Sequence, residues 1–251
     1  IGRPFGFEIS LDEVREETNE MDLLFYLNEW KSSGRRVDFV APNIGFRKRT
    51  DFHGDLRKLE RRVARLSEIS RSFGALLSIH SGSGTTPYSG KGRGTYGALL
   101  RGSGGDLKYK ISGVYYELLL QVLASFPPKS KERRLYNRIF DAVLEYLTEQ
   151  VSKGGPLASQ LLGRQLSAYE RDVRGGRVKR RDPRAIFFRC NSYLALALRD
   201  EKGRRYLREG LVELYERSAS IHRKVDTEAE RLTTRLLDGL RFRDNLRELT
   251  E

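Results

Sequence analysis

Three short stretches of this chain alternate strictly between apolar and polar residues. Phe7, Ile9 and Leu11 share one parity, with Glu8, Ser10 and Asp12 on the other. Leu77 and Ile79 alternate with Ser78 and His80, and Tyr109 and Ile111 with Lys108, Lys110 and Ser112. Side chains change faces at every step along a strand, so each run predicts a strand with an apolar side for packing and a polar side for another purpose. The strands are expected over 5–12, 75–80 and 107–112, with a fourth at 37–41 (Val37 to Ala41). Between them the period lengthens to that of a helix. Leu23, Leu24, Leu27 and Trp30 predict a helix over 20–33 closed by Gly34. Leu59, Val63, Leu66 and Ile69 predict one over 56–73, capped by Asp55 and stopped by Gly74.

Strands alternating with helices imply βαβ units and a parallel sheet, hence an α/β fold. Four strands cannot close a (β/α)₈ barrel. The expectation is therefore a (β/α) barrel-like portion over residues 1–150, the C-terminal part of a TIM-type barrel, with a helical region over 151–251 packed on it. Beyond the strands, helices are expected at 114–125 (ending at Pro127-Pro128), 131–151, 157–172, 184–199, 203–217 and 219–247. The only methionine is Met21, so either a leader has been removed or the chain is expected to be the C-terminal portion of something longer.

The polar parity carries the candidate chemistry. Glu8, Asp12 and Glu13 stand on or just beyond one strand, His80 ends another, and Lys110 lies on a third. In parallel barrels the C-terminal ends of strands are where active sites are built. Asp12, Glu13 and His80 together suggest a divalent-metal site. Imidazole with carboxylates suits Zn, Mn, Ni, Co or Fe better than Ca or Mg. A satisfied core histidine is the plainer reading of His80. Lys110 either pairs with Asp12 or meets a negative charge on a substrate. Asn43 ends the intervening strand, and Arg47, Lys48 and Arg49 follow it as a basic loop suited to an anionic ligand, with Ser81 and Ser83 as further binding groups. His53 and His222 are read as turn and surface residues.

The segment Ser81–Gly105 holds nine glycines. Gly84 to Lys91 misses the P-loop spacing, and Gly92-Arg-Gly94-Thr-Tyr-Gly97 lies too far past its strand for a dinucleotide fingerprint. A glycine-rich loop after a histidine-bearing strand is read instead as an active-site lid, with an ordinary surface loop as the alternative.

Composition narrows the classes. Lys and Arg number 47 against 34 Asp and Glu, a net charge of +13. The densest basic run, Arg174–Arg189, raises a polyanion-binding reading. A small anionic substrate accounts for the charge better, and nucleic acid is not the expected partner. Cys190 is alone, so no intrachain disulfide forms and a cytoplasmic setting is expected. No run approaches the length of apolar residues a transmembrane helix needs, so no membrane partner is expected.

Four motifs in register carry a family resemblance: Glu8-Ile-Ser-Leu-Asp-Glu13; Phe39-Val-Ala-Pro-Asn-Ile-Gly-Phe46 with Asp51-Phe-His-Gly-Asp-Leu56; Phe73 to Ser83 with its His-Ser-Gly-Ser end; and Lys108-Tyr-Lys-Ile-Ser-Gly113. In order and spacing they resemble the tagaturonate epimerase family over roughly residues 5–150. The resemblance implies a barrel enzyme that interconverts tagaturonate and fructuronate by inverting C4 with a divalent metal. In that chemistry Glu8 or Asp12 serves as base, Asp12 being equally available as a ligand, and Lys110 supports an enediolate. The alternative is an inert or differently specific sugar-binding relative.

Overall fold

The computed structural model describes residues 5–111 and 113–243. It divides into two compact units: one up to Gly113 and again from Arg231, the other Val114–Glu230. The boundary drawn at residue 150 from the sequence falls within α5 (Lys131–Lys153), inside the second unit.

The first unit is built on four parallel strands, β1 (Glu8–Leu11), β2 (Phe39–Pro42), β3 (Leu76–Ile79) and β4 (Leu107–Tyr109). Their order across the sheet is their order in the chain, with Glu8 beside Phe39, Leu77 beside Val40 and Ser78 beside Lys108. The crossovers are α1 (Glu20–Ser32), α2 (Leu56–Ser72) and α3 (Thr95–Ser103). Local chemistry sets the helix ends. Asn19 accepts from the Met21 amide at the start of α1, and Asp55 accepts from the amides of Arg57 and Lys58 at the start of α2. Leu59, Val63 and Leu66 of α2 are fully buried with Ile9, Val40, Leu77 and Ile79. The apolar parity of the strands thus does what the alternation predicts.

The strands are shorter than expected: β2 begins two residues later and runs on to Pro42, and β4 ends at Tyr109. Residue 112, the expected end of the last strand, lies outside the described residues. The larger correction concerns Ser81–Gly105, which is not one long loop. Its last part is α3, bounded by Gly94 and Gly104 in left-handed backbone (φ 80° and 71°). α3 packs so closely on α2 that a Cβ at Gly102 would lie 2.7 Å from the Glu60 carbonyl oxygen. Those glycines serve close packing rather than flexibility.

The second unit is helical: α4 (Gly113–Ser125), α5, α6 (Gln160–Arg174), α7 (Ile186–Asn191), a 3₁₀ turn (Ser192–Leu196), α8 (Tyr206–Arg217) and the start of α9 (Ala219–Gly239). The single helix expected over 184–199 is thus broken in two. The expected end of the last helix, 244–247, lies outside the described residues. Tyr136, Phe140, Tyr169, Phe187 and Phe188 form an aromatic core, with Phe140 and Phe188 ring centres 4.5 Å apart. In the same unit, Arg189 Nε donates to Glu117 Oε1 at 2.5 Å and its Nη2 to Oε2 at 3.2 Å, both side chains only 3% exposed. The basic run is largely answered from inside this unit, by Arg174–Glu170, Arg177–Asp172, Arg181–Asp141 and Arg184–Asp182 pairs as well. Among the described residues no helix is long and apolar enough to cross a membrane.

Candidate active site at the strand ends

The polar parity of β1, β3 and β4 converges in the first unit. His80, just past β3, lies between two carboxylates: Nδ1 is 3.0 Å from Asp12 Oδ1 and Nε2 is 2.9 Å from Glu8 Oε1. The other Glu8 oxygen accepts from Lys108 Nζ at 2.9 Å, and that ammonium sits 4.6 Å above the Phe39 ring. Each ring nitrogen of His80 thus faces a carboxylate oxygen, and the row Asp12–His80–Glu8–Lys108 alternates carboxylates with nitrogen groups that can donate to them. Lys108 is paired with Ser78 on β3, and its long side chain reaches over the Phe39 ring to Glu8.

The environment sets the charge of Glu8. Burial works to raise its pKa, but the neighbouring Ser78 hydroxyl, the hydrogen bonds with Lys108 and His80, and the His80 charge overcome this and hold it at about 2. The buried Ser78 Oγ completes no hydrogen bond among the described residues.

One end of this row opens into a cavity of about 240 Å³ lined by Asp12, Glu13, Lys48, Arg49, His80, Lys110 and the Ser81–Ser83 turn. Gly82 has to be glycine here, since a Cβ would lie 2.5 Å from the Tyr109 ring and 3.0 Å from the Lys110 carbonyl oxygen. Arg49 and Ser81 both hold left-handed backbone (φ 59° and 56°), costly conformations kept where the loops face the cavity.

Most of the residues singled out in the sequence therefore meet around one cavity. Three are used differently. Asn43 spends its amide on the β1–α1 loop, donating to the Val14 and Glu16 carbonyls and accepting from the Gly45 amide. Arg47 contributes its carbonyl, which accepts from Lys91 Nζ at 2.5 Å. Glu13 turns to Lys48 at 3.1 Å, and that cation's hydrogen bond and charge lower the Glu13 pKa. Asp12, Glu13 and His80 consequently do not converge, and among the described residues no three His, Cys, Asp or Glu side chains are arranged to hold a metal ion. Lys110 lines the cavity, but Lys108 is the lysine bound to Glu8. Lys108 was legible in the alternation, sharing parity with Lys110. Lys91 and Asp51, discussed below, carried no such signal.

The family model for tagaturonate epimerase matches residues 1–153. Among solved structures, the native fructuronate-tagaturonate epimerase of Cohnella laeviribosi is similar at 22% identity and TM-score 0.64, over 95% of this chain and 46% of that one. Its complex with one glycerol is similar to the same extent, at TM-score 0.63. The chain thus spans under half the length of these structures, and the likeness is one of fold. No curated protein matches the chain.

Proposed function

Since the chain belongs to the tagaturonate epimerase family, we propose that it serves the interconversion of tagaturonate and fructuronate by inversion at C4. The observation that carries this reading is the doubly held His80, with Glu8 and Asp12 on its two nitrogens, at the edge of a cavity rimmed by Lys48, Arg49 and Lys110. The sheet is read as a segment of a (β/α) barrel wall, supported by strands that each neighbour their predecessor. A cytoplasmic setting belongs to the same proposal.

The chemistry follows from the substrate. In a 2-ketohexuronate the C4–H lies β to the ketone and is not acidic, so proton abstraction there cannot invert C4. A retro-aldol step can. A base takes the C4 hydroxyl proton, the C3–C4 bond breaks, and its electron pair passes to the C2 oxygen as an enediolate while C4 becomes an aldehyde. Rotation of the aldehyde and re-addition, with the proton returned to the new C4 hydroxyl, give the epimer. Asp12 faces the cavity and is hydrogen-bonded to His80, so this pair takes and returns the proton. Glu8 holds the imidazole from the far side, and Lys108 keeps Glu8 ionised. Lys110 faces the charge of the enediolate. Lys48 and Arg49, with Ser81 and Ser83, hold the substrate carboxylate on the aldehyde fragment.

Divalent-metal dependence is proposed on the family alone. Asp12 and His80 are side by side but Glu13 is not, so no step is taken through an ion. Metal analysis of wild type and His80→Ala tests it: stoichiometric metal kept by the variant would remove the ion from this site. The reaction is tested with tagaturonate in deuterated water. Inversion without deuterium at C4 is expected, and deuterium at C4 would overturn the retro-aldol route. Binding without turnover would favour an inert sugar-binding relative.

A further inference from the structure

Lys91 is the one fully buried lysine among the described residues, and the mechanism above does not use it. Its Nζ donates to the Arg47 carbonyl at 2.5 Å and the Ser83 carbonyl at 3.3 Å, and lies 4.9 Å from the Phe46 ring centre. Those two carbonyls belong to different loops. Arg47 precedes Lys48 and Arg49 on the β2–α2 loop, and Ser83 closes the Ser81–Ser83 turn after β3.

The two loops are joined by further rungs around the same point. The Phe52 amide donates to the Lys91 carbonyl at 2.8 Å. Asp51 Oδ1 accepts from the Thr85 amide at 2.8 Å and from Ser89 Oγ at 2.6 Å, and the Asp51 amide donates to Thr85 Oγ1 at 3.0 Å. Gly84 is required by this junction, since a Cβ there would lie 2.1 Å from both Asp51 Oδ1 and Ser89 Oγ. The first half of the glycine-rich segment is therefore seated against its neighbour, where a free lid was expected.

Keeping an ammonium there is costly. Burial lowers the Lys91 pKa to about 8, against the raising charge of Asp51, and its backbone is left-handed at φ 64°. An aliphatic side chain would avoid the desolvation but would leave two inward-facing carbonyls without their donor.

We propose that Lys91 is a positioning residue that clasps the β2–α2 loop to the turn after β3, and so sets Lys48 and Arg49 opposite Ser81 and Ser83 for a sugar-acid carboxylate. The substrate clause rests on the function proposed above; the clasp does not. Because Glu8, Asp12 and His80 come from β1 and the end of β3, Lys91 governs binding more than the chemical step.

The test compares wild type, Lys91→Met and Lys91→Gln as full chains, by tagaturonate kinetics and by amide hydrogen exchange. Lys91→Met is expected to raise KM about tenfold or more with kcat within about threefold, the pattern of lost ground-state binding. Exchange should quicken in 47–52 and 83–92 but not in β1 or α1, and Lys91→Gln, which keeps a shorter, uncharged NH₂ donor group, should fall between. Unchanged exchange in those two segments overturns the clasp. Equal losses of kcat and kcat/KM at constant KM overturn its role in binding. If Lys91→Met does not fold, the same two criteria are applied to Lys91→Gln. If wild type does not act on tagaturonate, the substrate reading fails and exchange alone decides the clasp.

Discussion

The two units of this protein hold ionic clusters of opposite kinds. In the helical unit Glu117 and Arg189 are each 3% exposed and meet through both carboxylate oxygens. In the sheet unit Glu8, Asp12 and His80 are 16%, 12% and 9% exposed, Lys108 is 42% exposed, and the row ends at a cavity. A closed pair satisfies itself and fixes the packing around it. An open row leaves two members, Asp12 and His80, beside a space that a ligand can enter. The difference separates a charge cluster that holds the fold from one that can act.

The largest expected effect breaks the open row. Glu8→Gln removes the charge opposite His80 and Lys108 while keeping the shape, so turnover of tagaturonate should fall about 10²- to 10⁴-fold. Its Tm should fall by only about 2–4 °C, in keeping with a stability loss of about 1 kcal/mol. A variant that turns over normally would show that the row is structural, like the pair in the other unit.

The converse experiment addresses the closed pair. Arg189→Met leaves the Glu117 carboxylate buried without its cation and should cost roughly 3–5 kcal/mol in urea unfolding. Adding Glu117→Leu should restore most of that, since replacing a buried pair by apolar groups is often neutral. If Arg189→Met instead lowered turnover while leaving stability intact, the contrast between the units would be wrong.

A smaller effect comes from pH. The Glu8 pKa in the folded chain, about 2, lies below its ordinary 4.5. Its ionised contacts thus stabilise the fold fully above pH 4.5, and that contribution is lost as pH falls from about 4.5 toward 2. After allowance for solvent screening of this half-open site, about 1 kcal/mol is expected. Wild type should lose that much more stability than Glu8→Gln across this interval. Parallel curves would mean that the row contributes nothing to folding.

These contrasts also explain what could be read from the sequence. The period-two runs carried the parallel sheet and put Glu8, Asp12 and His80 on one face, because strand parity is a local property. What failed was non-local. Glycine counts in Ser81–Gly105 suggested a loose lid, yet Gly84, Gly102 and Gly82 are glycines because other backbone or side chains lie against them. Composition does not distinguish flexibility from close approach. Lys108 and Lys110 share parity, and only the folded side-chain geometry shows that Lys108 is the lysine that meets Glu8. Glu13 sits next to Asp12 in sequence, but the parity that brings Asp12 to His80 sends Glu13 to Lys48. Arg174–Arg189 kept a polyanion surface open as the rival reading, because its partners Asp141 and Glu117 lie too far along the chain to be assigned from sequence.

The smallest expected effect sharpens the open side of the comparison. Glu13 and Lys48 form an exposed pair at the cavity rim, with side chains 79% and 71% exposed. Such a pair is screened by salt and competes with any anion the lysine meets. Lys48→Ala should weaken tagaturonate binding by at most about fivefold and flatten its dependence on salt. Glu13→Gln should do the opposite, freeing Lys48 and tightening binding slightly at low salt. Calorimetric titration at two ionic strengths separates these outcomes. If Glu13 were a metal ligand, as the sequence first suggested, Glu13→Gln would instead abolish metal-dependent turnover and loosen substrate. The sign of the Glu13→Gln change therefore decides whether this carboxylate belongs to the acting row or only tempers the cation that faces it.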